Sequence, residues 1–99
     1  MNDEFIDVEK EVYEKGERVR IELRNDGSAK WSPLSQYLKI YHKDSSEKVY
    51  EGHRDIAMPA VPKTQTVFWD QTDIEGEKVE PGEYRAVFLE KYEDDFKIK

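Results

Sequence analysis

The sequence predicts an all-β protein, an antiparallel β-sandwich of about seven short strands. Short apolar runs separated by turn residues fill the chain, and no stretch repeats its apolar residues at helical spacing. Several runs alternate apolar and charged residues, which is typical of strands with one face on a core and the other in water. The 99 residues contain no linker and no internal repeat, so we expect one domain over residues 1–99.

The clearest strand lies near the start of the chain, at residues 18–24. It alternates strictly between apolar residues on one face and charged residues on the other, which predicts a half-buried strand. Before it, residues 5–13 are expected to form one strand, followed by a turn at residues 14–17. After it, residues 25–28 are of the types that favour turns.

The remaining strands are shorter or less regular. They are predicted over residues 37–43, 48–51, 64–70, 83–90 and 96–98. A hairpin turn at residues 44–47 joins the first two, and residues 29–36 are expected to form a loop. Residues 52–63 are expected to be irregular, because their two prolines lack the amide that a central strand needs.

The most specific pattern in the chain is WDQTDIEGEKVEPGEY, residues 69–84. A strand ends at its Trp, an acidic turn follows, and the next strand starts after a Pro-Gly pair. In the turn, Asp73 can cap backbone amides and Gly76 can adopt positive φ. Tyr84 resembles a tyrosine corner, in which the hydroxyl bonds to backbone across a bend. We therefore expect Tyr84 to be buried, with its hydroxyl bonded to a backbone group.

This pattern resembles the immunoglobulin-like domains grouped with the BsuPI-type intracellular proteinase inhibitors, and it is similar to the immunoglobulin-like part of flagellar hook-capping proteins. The residues that carry the resemblance are Trp69, Asp70, Asp73, Gly76, Val79, Gly82 and Tyr84, with a looser match at Tyr13, Gly16 and Asn25. The resemblance implies an immunoglobulin-like sandwich and a non-enzymatic module, of which protease inhibition is one use. No inhibitory-loop motif maps onto numbered residues, and the motifs of chagasin-type cysteine protease inhibitors are missing.

Composition limits the partners. The formal charge of −7 argues against nucleic acid and against anionic membrane surfaces, which both require a basic face. No apolar run approaches the roughly 20 residues of a membrane-spanning helix. The absence of Cys excludes disulfides, thiolate metal sites and Cys nucleophiles. Abundant Lys and Glu fit either a hyperthermophile protein or an ordinary acidic one.

The start of the chain bears on localisation. Its first ten residues are acidic and contain no apolar core segment, so they do not resemble a signal peptide. We expect a cytoplasmic protein if Met1 is the native start. If the domain was excised from a longer chain, the compartment stays open and includes the cell exterior.

The sequence contains no recognisable pattern of a catalytic or metal-binding site. No serine lies in a G-x-S-x-G elbow, and the five glycines form no phosphate loop. The acidic residues from 70 to 77 lack the D-x-D-x-D-G spacing of a calcium loop. His42 and His53 are two ligands where zinc requires three or four, and His42 is expected at the rim of the core. We therefore expect no enzyme activity, no metal and no cofactor.

Two apolar segments are candidate contacts for a protein partner. The first is IAMPAVP, residues 56–62, whose prolines would lower the entropy cost of ordering it on a partner. Its candidate residues are Ile56, Met58, Pro59 and Val61. The second segment contributes Trp31 and Leu34, since Trp is enriched at binding hot spots. The alternative interpretations are that the first segment tucks inward and that the Trp closes one end of the sandwich.

Three functions remain open from the sequence. The first is a protein-binding module whose partner is a protease or another protein. The second is a structural domain of a larger surface or secreted protein. The third is a carbohydrate-binding domain with a platform on one sheet face formed by Tyr37, Tyr41 and Tyr50. Tyrosine pairs across neighbouring strands also simply stabilise sheets, which is the competing interpretation of this group.

Overall fold

The computed structural model describes residues 5–28, 34–52 and 63–99. These residues form eight strands and one short 3₁₀ helix, Leu34–Tyr37. The strands are β1 (Ile6–Val8), β2 (Val12–Tyr13), β3 (Val19–Arg24), β4 (Leu38–His42), β5 (Lys48–Glu51), β6 (Thr64–Trp69), β7 (Gly82–Phe88) and β8 (Tyr92–Ile98). The expected all-β class is confirmed. Within the described ranges, no helix is long and apolar enough to cross a membrane.

The strands form two sheets. A three-stranded sheet has the order β1-β3-β6, and a five-stranded sheet has the order β2-β8-β7-β4-β5. Neighbouring strands run antiparallel except β2 and β8, which are parallel. Both sheets contribute to one hydrophobic core. The Trp69 ring from the first sheet meets Phe96 and Tyr84 of the second edge-on, at centroid distances of 6.0 and 5.9 Å.

The prediction of one continuous strand over residues 5–13 is wrong. The chain leaves the first sheet after Val8 and joins the second sheet at Val12, where it runs beside β8. The reason is visible in the spacing of the inward residues. Val8 and Tyr13 are both buried, but they are five positions apart, and a regular strand would place them on opposite faces. Changing sheets allows both side chains to enter the core.

The strict alternation predicted for β3 is confirmed. Val19, Ile21 and Leu23 are fully buried, whereas the residues between them face outward. The same alternation holds at the start of β4, where Leu38 and Ile40 enter the core. Alternation identified these strands because each of them has one face in water.

The final strand is longer than predicted, since it covers Tyr92–Ile98 rather than residues 96–98 alone. Its first half contains three acidic residues and therefore lacked an apolar pattern. One of them, Asp94, nevertheless faces inward in line with Phe96 and is only 5% exposed. The turn before this strand places Leu89 and Glu90 at positive φ, a conformation that usually requires Gly or Asn.

Candidate binding loop

Most residues of the two predicted contact segments lie outside the described part of the chain. These are Trp31, Ile56, Met58, Pro59 and Val61. Leu34 is described, and the structure places it in the core rather than on the surface. Its side chain is fully buried at the start of the 3₁₀ helix. Leu34 therefore stabilises the fold and offers no surface to a partner in this conformation.

The predicted tyrosine platform is not formed. The register between β4 and β5 shifts after Ile40, so Tyr50 lies opposite Ile40 while Tyr41 lies opposite Lys48. Residues opposite each other point to the same side of a sheet, which places Tyr50 with the core residue Ile40. Tyr50 and Tyr37 both pack against the core, and burial raises the pKa of the Tyr50 hydroxyl. The three rings therefore do not share one exposed face.

His42 lies at the rim of the core, as expected. It pairs with Tyr84 across the β4–β7 register, and its ring meets the Tyr84 ring edge-on at a centroid distance of 4.9 Å. His53 lies outside the described residues. Within the ranges that the structure describes, no three His, Asp or Glu side chains gather as metal ligands would.

The segment between β6 and β7 is held by hydrogen bonds from side chains at its base and tip, and we call residues 70–79 the braced loop. At its entrance, the Trp69 indole Nε1–H donates to the Thr72 carbonyl at 2.8 Å. Beyond its exit, the Tyr84 hydroxyl donates to the Glu80 carbonyl, and Tyr84 is buried. The expected burial of Tyr84 and its bond to backbone are thus confirmed.

The tip of the braced loop is organised by Asp73. Its Oδ1 accepts the backbone amides of Glu75 at 2.9 Å and Glu77 at 3.0 Å. Gly76 has φ of 87°, which a residue with a Cβ rarely adopts. The capping role predicted for Asp73 and the positive φ predicted for Gly76 are both confirmed.

The base of the braced loop is tied to a second turn by Gln71. This side chain is buried although it is polar, and it crosses to residues 14–17. Its Oε1 accepts the amide of Gly16 at 3.1 Å, and its Nε2 donates to the carbonyls of Glu14 at 2.8 Å and Glu17 at 2.7 Å. The amide group of Gln71 is thereby satisfied, and these bonds fix the base of the loop to residues 14–17.

Ile74 stands at the tip of the braced loop and is 62% exposed. It borders a cavity of about 330 Å³, on whose other side lie Val49, Tyr50 and Gly52 of the β5 edge. The sequence pattern predicted an acidic turn here, without the spacing of a calcium loop and without a role for Ile74. The available signal is a single large apolar residue, Ile74, between two acidic residues of a turn.

The surroundings of Ile74 are acidic. Asp73, Glu75 and Glu77 lie beside it in the chain, and Glu51 lines the same cavity. The lysine of the loop, Lys78, donates its ammonium to the Asp70 carbonyl at 2.9 Å. The arrangement is therefore an exposed apolar side chain with carboxylates around it, carried on a rigid support.

Compared with known proteins, the chain matches no family model, no curated protein and no solved structure.

Proposed function

We propose that the chain is an immunoglobulin-like β-sandwich that works as a non-enzymatic protein-binding module. The strand order supports the fold assignment. An immunoglobulin domain divides strands A, B and E from strands C, F and G, and here β1, β3 and β6 are separated from β4, β7 and β8 in the same way. Tyr84 stands near the start of β7, where the tyrosine corner of such domains occurs. The resemblance to BsuPI-type inhibitors in residues 69–84 points in the same direction.

The observation that carries the binding role is the exposure of Ile74 on a braced loop. A loop that is already ordered before binding loses little conformational entropy when a partner contacts it. The Asp73 caps and the Gln71 anchor provide that order. A single exposed apolar residue is common on protein surfaces. What distinguishes Ile74 is its place on an ordered loop, where a partner could cover it without first ordering the chain.

The chemistry around Ile74 indicates the partner surface. An apolar pocket should receive the Ile74 side chain, and basic groups at its rim should face Asp73, Glu75 and Glu77. A serine protease with a pocket for apolar residues is the specific partner that the inhibitor resemblance proposes. In that case the loop would enter the cleft like a substrate, and the bonds to Asp73 would hold the ends of a cleaved loop together.

The test uses three forms of the protein: wild type, Ile74→Asp and Val12→Asp. Val12 is the matched control, because it is also an exposed apolar residue, at 43%, and lies in another sheet edge. Each form is immobilised to capture partners from native lysate and is assayed against subtilisin-like proteases. A partner or inhibition that persists in Val12→Asp and disappears in a folded Ile74→Asp supports the proposal. Equal behaviour of the three folded forms contradicts it and favours a structural domain.

A further inference from the structure

β6 is one of the two outer strands of the three-stranded sheet within the described residues, because its neighbour there is β3 alone. Its sequence, TQTVFW, contains no charged residue and no proline. The remaining strands of three or more residues each carry at least one charge, in a chain that is 39% charged. Outer strands are usually protected from pairing with other chains by charges, prolines or bulges. β6 shows none of these in its six residues.

The backbone of β6 presents alternate residues toward β3 and away from it. The amide of Asn25 donates to the carbonyl of Lys63 at 2.7 Å. This bond identifies which residues of β6 are hydrogen-bonded to β3. In an antiparallel pair the hydrogen-bonded positions alternate, so the odd-numbered residues of β6 bond to β3. The amides and carbonyls of Thr64, Thr66 and Phe68 therefore point away from β3.

The side chains of these same three residues lie on the outer face of the sheet and are exposed. Phe68 is 55% exposed, which makes it one of three large apolar side chains on the described surface. Thr64, Thr66 and Phe68 thus combine backbone groups that point away from β3 with exposed side chains, one of them aromatic, on an uncharged strand. This combination is that of a strand prepared for pairing.

We propose that β6 pairs antiparallel with β6 of a second copy, about a two-fold axis at Thr66. This register is self-complementary, as a two-fold interface requires. Thr66 meets Thr66 of the second copy, and Thr64 meets Phe68 of the second copy on both sides of the axis. Each of the three residues then uses both its amide and its carbonyl, and the two three-stranded sheets become one of six strands. The proposal is independent of the binding role of Ile74.

Charge favours a second copy at this place over a charged partner. The residues of β3 opposite the three positions are Arg24, Glu22 and Arg20, and Asp7 of β1 lies opposite Glu22. These two arginines and two carboxylates carry no net charge, although the chain as a whole carries −7. Two copies can therefore meet here without opposing their excess carboxylates. Repulsion between the rest of the two molecules is screened by salt, so pairing should strengthen as salt rises.

The first test measures mass in solution for the wild type, Thr66→Lys and Val12→Lys. Light scattering over a concentration series at low and moderate salt should show the wild type converting from monomer to dimer. Thr66→Lys places two ammonium groups at the axis and should remain monomeric at concentrations where the wild type is mostly dimer. It also makes the chain less negative, so a general effect of charge would favour dimerisation rather than prevent it. Val12→Lys, which makes the same charge change elsewhere, should dimerise as the wild type does.

The second test identifies the strand that pairs. Amide hydrogen exchange at residue resolution should show protection of Thr64, Thr66 and Phe68 that rises with protein concentration. Protection that stays constant over the concentrations at which the mass changes would mean that the same chain covers this edge, and it would overturn the proposal. A wild type that is monomeric throughout, or a folded Thr66→Lys that still dimerises, would overturn it as well. Phe68→Ser serves as a second weakening variant if Thr66→Lys does not fold.

Discussion

The Asp94 carboxylate accepts the backbone amide of Val8 at 2.8 Å, and this bond joins β8 of one sheet to β1 of the other. Val8 is the last residue of β1, after which the chain crosses between the sheets. The ladder to β3 uses the residues on either side of Val8, since the Glu9 amide bonds to the Arg20 carbonyl and the Phe5 carbonyl to the Arg24 amide. The Val8 amide therefore points away from β3 on an outer strand, and the inward carboxylate of Asp94 supplies its partner.

The first prediction separates the acceptor of Asp94 from its charge. Asp94→Ala should lower the free energy of unfolding by about 1–3 kcal/mol, because the buried Val8 amide loses its partner. Asp94→Asn retains an acceptor oxygen and should be at least as stable as the wild type at neutral pH. Urea unfolding of the three forms measures the difference. Equal losses in both variants would mean that the bond to Val8 is unimportant.

The pH dependence of this site has a definite sign. Burial raises the pKa of Asp94, so the folded protein retains this proton at a higher pH than the unfolded chain. The contribution of Asp94 to stability should therefore fall as pH rises from the usual range of a carboxyl to the raised value. The difference in stability between Asp94→Asn and the wild type should accordingly be smaller at acidic pH than at neutral pH.

The second prediction concerns the Tyr84 hydroxyl. Tyr84→Phe should lower the free energy of unfolding by about 1 kcal/mol or more, since the Glu80 carbonyl loses a buried donor. Tyr41→Phe is the matched control, because Tyr41 lies on the same sheet but opposite Lys48, away from the core face. Its cost should be close to zero. Thermal and urea unfolding measure both variants, and a neutral Tyr84→Phe would show that the hydroxyl does not stabilise the corner.

The parts of the fold that the sequence predicted have one property in common. β3 and the start of β4 expose one face to water, so a period of two appears in their residue types. The turn at Asp73 and Gly76 was predictable because a backbone requirement selects the residue type directly. Tyr84 was predictable for a similar reason, since its place at the head of a strand after a Pro-Gly pair is itself a pattern.

The parts that were missed depend on long-range contacts. Asp94 is inward because Val8, 86 residues earlier, requires an acceptor. Gln71 is buried because a distant turn satisfies its amide, and nothing in its neighbouring residues indicates this. The sequence shows an apolar residue at position 74 but does not determine its exposure, because apolar residues in turns can fold back onto a core. Here the Asp73 caps hold the tip of the loop outward.

The third prediction tests a close approach of backbone to backbone at the end of β5. A Cβ added at Gly52 would lie 1.8 Å from the carbonyl oxygen of Ser35. Ser35 belongs to the 3₁₀ helix, so the backbone could relieve this overlap only by displacing that helix. Gly52→Ala should therefore cost about 1–3 kcal/mol or more of stability. A fully stable Gly52→Ala would contradict the described path of the chain.

The fourth prediction concerns acid stability. The Lys91 ammonium, at 2.8 Å, with the Ser28 and Tyr92 hydroxyls holds the pKa of the Asp26 carboxyl well below its usual range. The folded protein therefore keeps this carboxylate charged where the unfolded chain takes up a proton. Its contribution is complete above the usual range of a carboxyl and is lost as pH falls through the lowered value.

The variant that checks this is Asp26→Asn. It should be less stable than the wild type at neutral pH, and the difference between the two should shrink on acidification. A series of urea unfolding curves from neutral to acidic pH measures it. A difference in the free energy of unfolding that is the same at all pH values would show that Asp26 has the same pKa in the folded and unfolded states.

The fifth prediction connects the order of the braced loop to binding. Asp73→Ala removes the acceptor of the Glu75 and Glu77 amides while leaving Ile74 in place. The loop should then exchange its amide hydrogens faster at residues 74–77, with little change in global unfolding, because no core residue is altered. Asp70→Ala is the matched control, because it removes an equal charge from the same loop. Asp70 is an exposed carboxylate that pairs with Arg18 at 3.3 Å. A partner that recognises a rigid Ile74 should bind Asp73→Ala more weakly than Asp70→Ala, because ordering the loop now opposes binding. Equal affinities for the two variants would mean that charge, and not the order of the loop, determines recognition.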